Sequence, residues 1–156
     1  MRKIIFITLF FTMSLFAQSI NVALAANVSY AINDLIKEFN KDYPDIKVNT
    51  IIGSSGKLTA QIVNGAPFDI FMSADMKYPK YLYDHLATID KPVVYAKGSL
   101  VLLTTKKNQN LSKFFGILTS KKTKKIALAN PKTAPYGKVA KTVLEMMKIY
   151  DKIKKK

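Results

Sequence analysis

The chain has 156 residues, 49% of them hydrophobic, which is enough for one ordinary domain with an apolar core. It contains no cysteine, and this excludes a disulfide scaffold, a thiolate metal site and a cysteine nucleophile. The formal net charge is +15, but Arg2 is the only arginine; because sequence-specific nucleic-acid binding favours arginine forks and interleaved aromatics, we expect no nucleic-acid partner.

Residues 1–17 are typical of a secretory signal peptide. Two basic residues precede an apolar run at positions 4–11, which is too short to span a bilayer. Cleavage after Ala25 fits the small-residue rule well, but it would remove INVALA, which we interpret as the first core strand. We therefore predict cleavage near Ala17. The product is expected in the periplasm without a lipid anchor, because no cysteine is present to carry one.

Strands and helices alternate in the first part of the chain. Apolar or alternating runs predict strands at 20–27, 46–52 and 68–72. Helical spacing of apolar residues predicts helices over 32–43, from near Ser55 to Asn64-Gly65, and within 73–86. This alternation indicates an α/β fold with a parallel sheet and helices on both faces.

The second part continues the alternation. The patterns predict extended segments over 92–105, a short helix over 111–120, a strand over 124–130 and an amphipathic helix over 137–149. An apolar run ending in asparagine precedes both the first and the last helix. We interpret this weak repeat as two related lobes, lobe I at 18–96 and lobe II at 97–156.

The stretch GSSGKLTAQI (53–62) has the composition of a phosphate-binding loop but not its spacing. Its glycines are too close together, and Leu58 stands where the loop needs serine or threonine, so a nucleotide site is excluded. The free amides and dipole of a helix starting near Ser55, with the hydroxyls of Ser54 and Ser55, can seat an anion. Taken alone, a serine here is more often a simple N-cap. Lys57 is expected to face solvent.

Two other strand-to-helix junctions carry polar groups. Asn27 and Ser29 follow the first strand, and Thr133, Ala134 and Tyr136 precede the last helix. Open α/β sheets bind ligands at the carboxyl ends of their strands, so three such junctions predict a shared anion cleft. Neutral donors suit a dehydrated tetrahedral oxyanion, because they can select size and protonation state without a strong ion pair.

The remaining polar candidates indicate no catalysis. A carboxylate inside an anion cleft would repel the ligand, so we interpret Asp75 as a helix cap and Asp69 as a hydrogen-bond acceptor at a strand edge. His85, the only histidine, is expected on the surface. No hydrolase-type nucleophile motif is present. We predict a binding protein rather than an enzyme, with no cofactor and no directly bound metal.

Three stretches together carry a resemblance to a known family. They are ANVSYAINDLIKEFNKDYPDIKV, GSSGKLTAQIVNGAPFDIFMSADMKY and IALANPKTAPYGKVAKTVLE. From about position 20 to about position 150, the chain resembles the periplasmic molybdate-binding proteins of ABC transporters. The resemblance implies a type II periplasmic-binding fold of two Rossmann-like lobes, with molybdate or tungstate held between them. It also implies a membrane permease as partner, and we expect a monomer.

The resemblance places oxyanion contacts on particular residues. It implies one contact at Asn27, with Ser29 as the alternative, and one at Ser55 with Ser54 beside it. The third is the backbone amide of Tyr136. Members of the family continue beyond the point at which this chain stops, so the second lobe and its return crossover are expected to be incomplete. We therefore expect molybdate binding to be weak or absent.

A second class of function rests on charge. Residues 121–156 hold 12 lysines against Glu145 and Asp151. A charge run of this kind is usually a solvated surface. The alternative is a cationic exported module that binds membranes or acidic polymers through its lysine-rich C-terminal tail. It predicts salt-sensitive binding that is lost when residues 150–156 are removed.

Overall fold

The structure, a computed structural model, describes residues 18–156, so the predicted signal peptide lies outside the described residues. Its first part is built on a parallel three-stranded sheet in the order β2-β1-β3. The strands are β1 (Ser19–Ala25), β2 (Lys47–Gly53) and β3 (Ile70–Met72). The parallel α/β sheet predicted from strand–helix alternation is confirmed.

The central strand is the most deeply buried element of the sheet. β1 pairs with β2 along its whole length, from Ser19 opposite Lys47 to Ala25 opposite Gly53, and with β3 on its other side. Ala23 and Leu24 are fully buried, and Val22 and Ala25 nearly so. A strand flanked on both edges and covered on both faces must be apolar throughout, which explains the uninterrupted run VALA.

Three helices accompany this sheet: α1 (Ile32–Asp42), α2 (Ser55–Val63) and α3 (Lys77–Asp84). α2 ends at Asn64, and Gly65 follows with φ +83°, a left-handed conformation that glycine adopts without steric cost. The predicted cap at Asp75 is wrong. Met76 precedes α3 without a side-chain capping bond, and the Asp75 carboxylate instead lies 3.5 Å from the Ser73 hydroxyl.

The second part contains helices but, among residues 18–156, no strand beyond the first three. The helices are α4 (Gly116–Thr119), α5 (Pro135–Met146) and α6 (Tyr150–Ile153). The predicted strand at 124–130 is therefore wrong, and segment 92–105 forms no ladder with any described residue. A β-strand requires backbone hydrogen bonds to a neighbouring strand. The amide of Ile126 instead donates to the carbonyl of Lys156 at 3.3 Å.

Each part of the chain has an apolar cluster of its own. In the first, Val22 and Leu24 pack with Val28 and Ile32. In the second, the buried residues are Leu118, Leu144 and Ile153. Two clusters agree with two lobes, while the boundary between residues 96 and 97 stays a prediction. No helix within residues 18–156 is long and apolar enough to cross a membrane.

Candidate functional site

The parallel sheet brings the polar ends of its strands to one edge. A short 3-10 turn, Ala26–Val28, follows β1 and carries Asn27. Ser54 and Ser55 follow β2, and Ser73 with Ala74 follows β3. Because parallel strands point the same way, all three junctions lie at the carboxyl edge, where open α/β sheets bind ligands.

The start of α2 places two serine hydroxyls out of solvent. Ser54 has the extended backbone of an N-cap residue, φ −82° and ψ 145°, but its side chain makes no capping bond. Its Oγ is buried and has no hydrogen-bond partner among residues 18–156. The interpretation of this serine as a simple side-chain N-cap is therefore wrong. A buried hydroxyl without a partner costs about 1–3 kcal/mol, so this position needs an explanation.

Ser55 is fully buried and joins the ends of β2 and β3. Its Oγ accepts a hydrogen bond from the amide of Ala74 at 3.0 Å. Its backbone carbonyl accepts from the hydroxyl of Thr59 at 2.8 Å, which holds the first turn of α2 in place. A hydroxyl that accepts one bond still has its proton to donate, so Ser55 keeps a donor at the strand edge.

The start of α5 meets the start of α2. The amide of Gly56, in the first turn of α2, donates to the carbonyl of Thr133 at 3.0 Å. Ala134 precedes α5 and has no capping side chain, while Pro135 occupies the first helical position. Among the described residues, the amide of Tyr136 meets no acceptor. It is one of the unpaired donors that every helix start leaves, at the positive end of the helix dipole.

An open cleft of about 1200 Å³ runs along this edge of the sheet. Asn27 and Tyr136 line it, together with Ser73, Ala74 and Tyr95. Ser29, Ser54 and Ser55 are not among the lining residues. Ser55 adjoins the cleft through its bond to the amide of Ala74, which does line it. The Ser29 hydroxyl donates to the Ala26 carbonyl at 2.8 Å, a local bond that makes Asn27 the better-placed donor of the two.

Tyr95 is a site residue that the sequence patterns did not reveal. Its hydroxyl donates to the carbonyl of Ser73 at 3.0 Å, which ties segment 92–105 to the end of β3. Burial raises the pKa of the Tyr95 phenol, the hydrogen bond from the Asn27 side chain lowers it, and the neighbouring Tyr136 raises it further. Tyr95 therefore connects the two predicted cleft residues. Tyr95 lies in the segment VVYAKG, where the sequence does not distinguish it from an aromatic residue of the core.

The two candidate aspartates, Asp69 and Asp75, also line the cleft. Asp69 accepts from the amide of Asn21 at 2.7 Å, which confirms the predicted strand-edge acceptor. His85 and Lys57 are exposed, as predicted. Within residues 18–156 no three histidine, aspartate or glutamate side chains are grouped closely enough to hold a metal ion.

Replacing Tyr95 with phenylalanine is expected to remove a tyrosine whose pKa lies above its usual value. The folded-state pKa of Tyr95 lies above the usual value of 10.0. The contribution of Tyr95 to the stability of the fold is therefore fully present below pH 10.0. It is lost as pH rises through the folded pKa. Alkaline titration of tyrosinate absorbance checks this. Tyr30→Phe controls for the loss of one chromophore, and an unchanged late transition in Tyr95→Phe would contradict the assignment.

The chain is similar to several known proteins. The model of the family described as bacterial extracellular solute-binding protein matches residues 20–156. The molybdate-binding protein ModA of Azotobacter vinelandii is 36% identical over 141 residues, 90% of this chain and 55% of that protein. ModA of Rhodobacter capsulatus is 34% identical over 110 residues, 70% of this chain and 43% of that protein. A putative ABC transporter substrate-binding lipoprotein of Bacillus subtilis, YvgL, is 31% identical over 140 residues, which are 88% of this chain and 53% of that protein.

A solved structure shows the same similarity. The periplasmic molybdate-binding protein of Azotobacter vinelandii superposes with a TM-score of 0.79 at 35% identity, covering 86% of this chain and 58% of that one. The predicted type II periplasmic-binding fold is confirmed by this superposition, and the chain spans about half the length of the relatives it matches. The chain belongs to the family of bacterial extracellular solute-binding proteins.

Proposed function

We propose that the chain is the ligand-capturing part of an ABC importer for molybdate or tungstate. Its relatives in Azotobacter vinelandii and Rhodobacter capsulatus are named for molybdate binding. The proposed donors are the Asn27 amide, the hydroxyls of Ser54 and Ser55, and the backbone amide of Tyr136, with Ser29 as the alternative to Asn27. The role is binding rather than catalysis, and the proposed partner is a membrane permease.

The observation that carries this proposal is the Ser54 hydroxyl. It is buried and has no partner among residues 18–156, although it stands where a serine side chain normally caps the helix. Ser55 beside it keeps a free proton, and the dipole of α2 favours negative charge at this end. A dehydrated oxyanion held at this helix start would accept hydrogen bonds from all of these groups at once.

Two single substitutions separate a ligand role from a capping role. Ser54→Ala removes an unsatisfied buried hydroxyl, so the melting temperature of the unliganded protein is expected to stay level or rise. The stabilisation by molybdate, measured by thermal unfolding with and without the anion, is expected to disappear. If Ser54 were only a cap, the unliganded protein would lose about 1 kcal/mol instead.

Ser55→Ala serves as the second variant, and Ser112→Ala as the matched control. Ser55→Ala also leaves the Ala74 amide unpaired, so both stability and ligand-induced stabilisation are expected to fall. The exposed Ser112 uses no hydroxyl hydrogen bond among the described residues, and Ser112→Ala should behave as the parent. Tungstate should act as molybdate does and sulfate should not. Equal stabilisation by sulfate would argue against the proposed ligand class.

We propose that affinity is modest in this chain alone. Segments 92–105 and 124–130 form no ladder with described residues, and Val101 and Leu103 are 78% and 82% exposed. Segments held this loosely position the hydrogen-bond donors less precisely, and imprecisely positioned donors bind a ligand more weakly. Isothermal titration should give a molybdate dissociation constant weaker than about 1 μM. A submicromolar dissociation constant would contradict the proposal of modest affinity.

The same function requires export. We propose that the signal peptide is cleaved near Ala17 and that the product acts in the periplasm as a monomer. Cleavage after Ala25 would remove β1, the central strand, whose residues 22–25 are almost completely buried. N-terminal sequencing of the exported protein tests this. A mature chain that starts at residue 26 would contradict the proposed site.

A further inference from the structure

Two lysine runs that are distant in the sequence lie side by side in the structure. Lys156 donates through Nζ to the carbonyls of Leu118 and Ser120, both at 2.9 Å. Its own carbonyl accepts from the amide of Ile126 at 3.3 Å. The buried Ile153 adds an apolar anchor, because it packs in one cluster with Leu118. Segments 118–126 and 150–156 therefore form one continuous region, which we call the basic surface.

The charge of the basic surface is nearly unopposed. Its two segments contain eight lysines and one acidic residue, Asp151. Seven of these lysines are exposed: Lys121, Lys122, Lys124, Lys125, Lys152, Lys154 and Lys155. Asp151 is occupied by Lys154 at 2.9 Å. Like charges held together raise the local potential, which an anionic partner lowers.

We infer that the basic surface docks the protein on anionic lipid headgroups at the membrane. Lysine ammonium groups are compact, strongly hydrated point charges on flexible stems, which suits a diffuse layer of headgroups rather than one shaped site. A nucleic acid fits less well, because segments 118–126 and 150–156 hold no arginine for bidentate contacts. Their single aromatic residue, Tyr150, lies under the ammonium of Lys141. No base-stacking platform is left.

This surface is separate from the oxyanion site in residues and in chemistry. It includes none of Asn27, Ser54, Ser55 or Tyr136, and it uses exposed charge where that site uses neutral donors. Docking at the membrane holds the protein in the layer where an importer's permease lies, so a released ligand has a shorter path to its carrier. Lipid binding is therefore expected with and without molybdate.

Vesicle co-sedimentation of the purified chain tests the inference. Phosphatidylglycerol–phosphatidylcholine vesicles should bind the protein, phosphatidylcholine vesicles should not, and binding should fall steeply with salt. Each lysine near an anionic surface contributes roughly fivefold to partitioning. The variant with Lys121, Lys122, Lys124 and Lys125 changed to glutamine should therefore bind at least about tenfold more weakly. Changing Lys152, Lys154 and Lys155 to glutamine should weaken the same binding.

A charge-matched control separates this surface from net charge. Lys37, Lys47, Lys106 and Lys107 are exposed lysines elsewhere in the chain, and their change to glutamine should leave at least most of the binding intact. Lys156 is kept in every variant because it holds the two segments together. Circular dichroism confirms that each variant folds. Binding to neutral vesicles, equal loss in the control, or displacement by duplex DNA at equal phosphate would overturn the inference.

Discussion

Replacing Leu24 with alanine is expected to lower the free energy of unfolding by about 3 kcal/mol. Leu24 is fully buried in β1, the central strand, and packs with Val22, Val28 and Ile32. The smaller side chain removes apolar contact and leaves a cavity that a strand held on both edges cannot close by shifting. Urea unfolding followed by circular dichroism gives the measurement.

The control for Leu24 makes the same chemical change on the surface. Leu103 is 82% exposed, so Leu103→Ala should change stability by no more than about 0.5 kcal/mol. Similar losses in the two variants would show that β1 does not form the core. A marginal parent protein needs a milder test, and Leu24→Met, which nearly conserves volume, should cost less than about 1.5 kcal/mol.

Replacing Gly137 with alanine is expected to cost about 3 kcal/mol or more, the upper end of the range for overpacking. Gly137 is buried in the first turn of α5, and an added Cβ would overlap the carbonyl oxygen of Ala129 and lie 2.9 Å from the carbonyl carbon of Asn130. Both neighbours are backbone, so a side-chain rotation cannot relieve the clash. α5 must then move away from segment 129–130. Because Tyr136 precedes Gly137, the proposed molybdate binding should fall with stability.

Gly116→Ala tests whether the effect comes from the close approach. An added Cβ at Gly116 would meet only the Cβ of Lys113 at 4.0 Å, an ordinary contact. Gly116 begins α4 with helical geometry, so alanine there should hold or slightly raise the unfolding temperature. If both glycine variants unfold at the parent's temperature, the proposed packing of α5 on residues 129–130 is wrong.

The sheet and its helices could be predicted from sequence because each depends on a local pattern. The run VALA specifies a strand covered on both faces. Apolar spacing and Asn64-Gly65 place both ends of α2 within about two residues. Proximity of the strand ends also follows, since parallel strands share one carboxyl edge. These are consequences of periodicity and chain direction, and both can be read from the sequence.

What could not be predicted depends on partners far along the chain. The strand at 124–130 has a suitable composition, but no strand pairs with it among the described residues. Asp75 has a suitable cap chemistry, but α3 begins at Lys77. Tyr95 reaches Ser73 and Asn27 across the cleft, and no local signal reports such a contact. Ser54 is a different case. Its hydroxyl is buried and has no hydrogen-bond partner among the described residues, and no sequence pattern shows that such a bond is missing.

The hydrogen bond from Gly56 to Thr133 competes with any anion for a donor at the start of α2. The carbonyl of Thr133 presents partial negative charge at the positive end of α2, so the unliganded protein already occupies one of its own donors with an internal substitute. An incoming oxyanion must either use the remaining donors or displace that carbonyl, which costs about 1 kcal/mol for the exchanged bond. Where the anion displaces it, this internal bond between the two helix starts is therefore expected to weaken anion binding by the cost of that exchange.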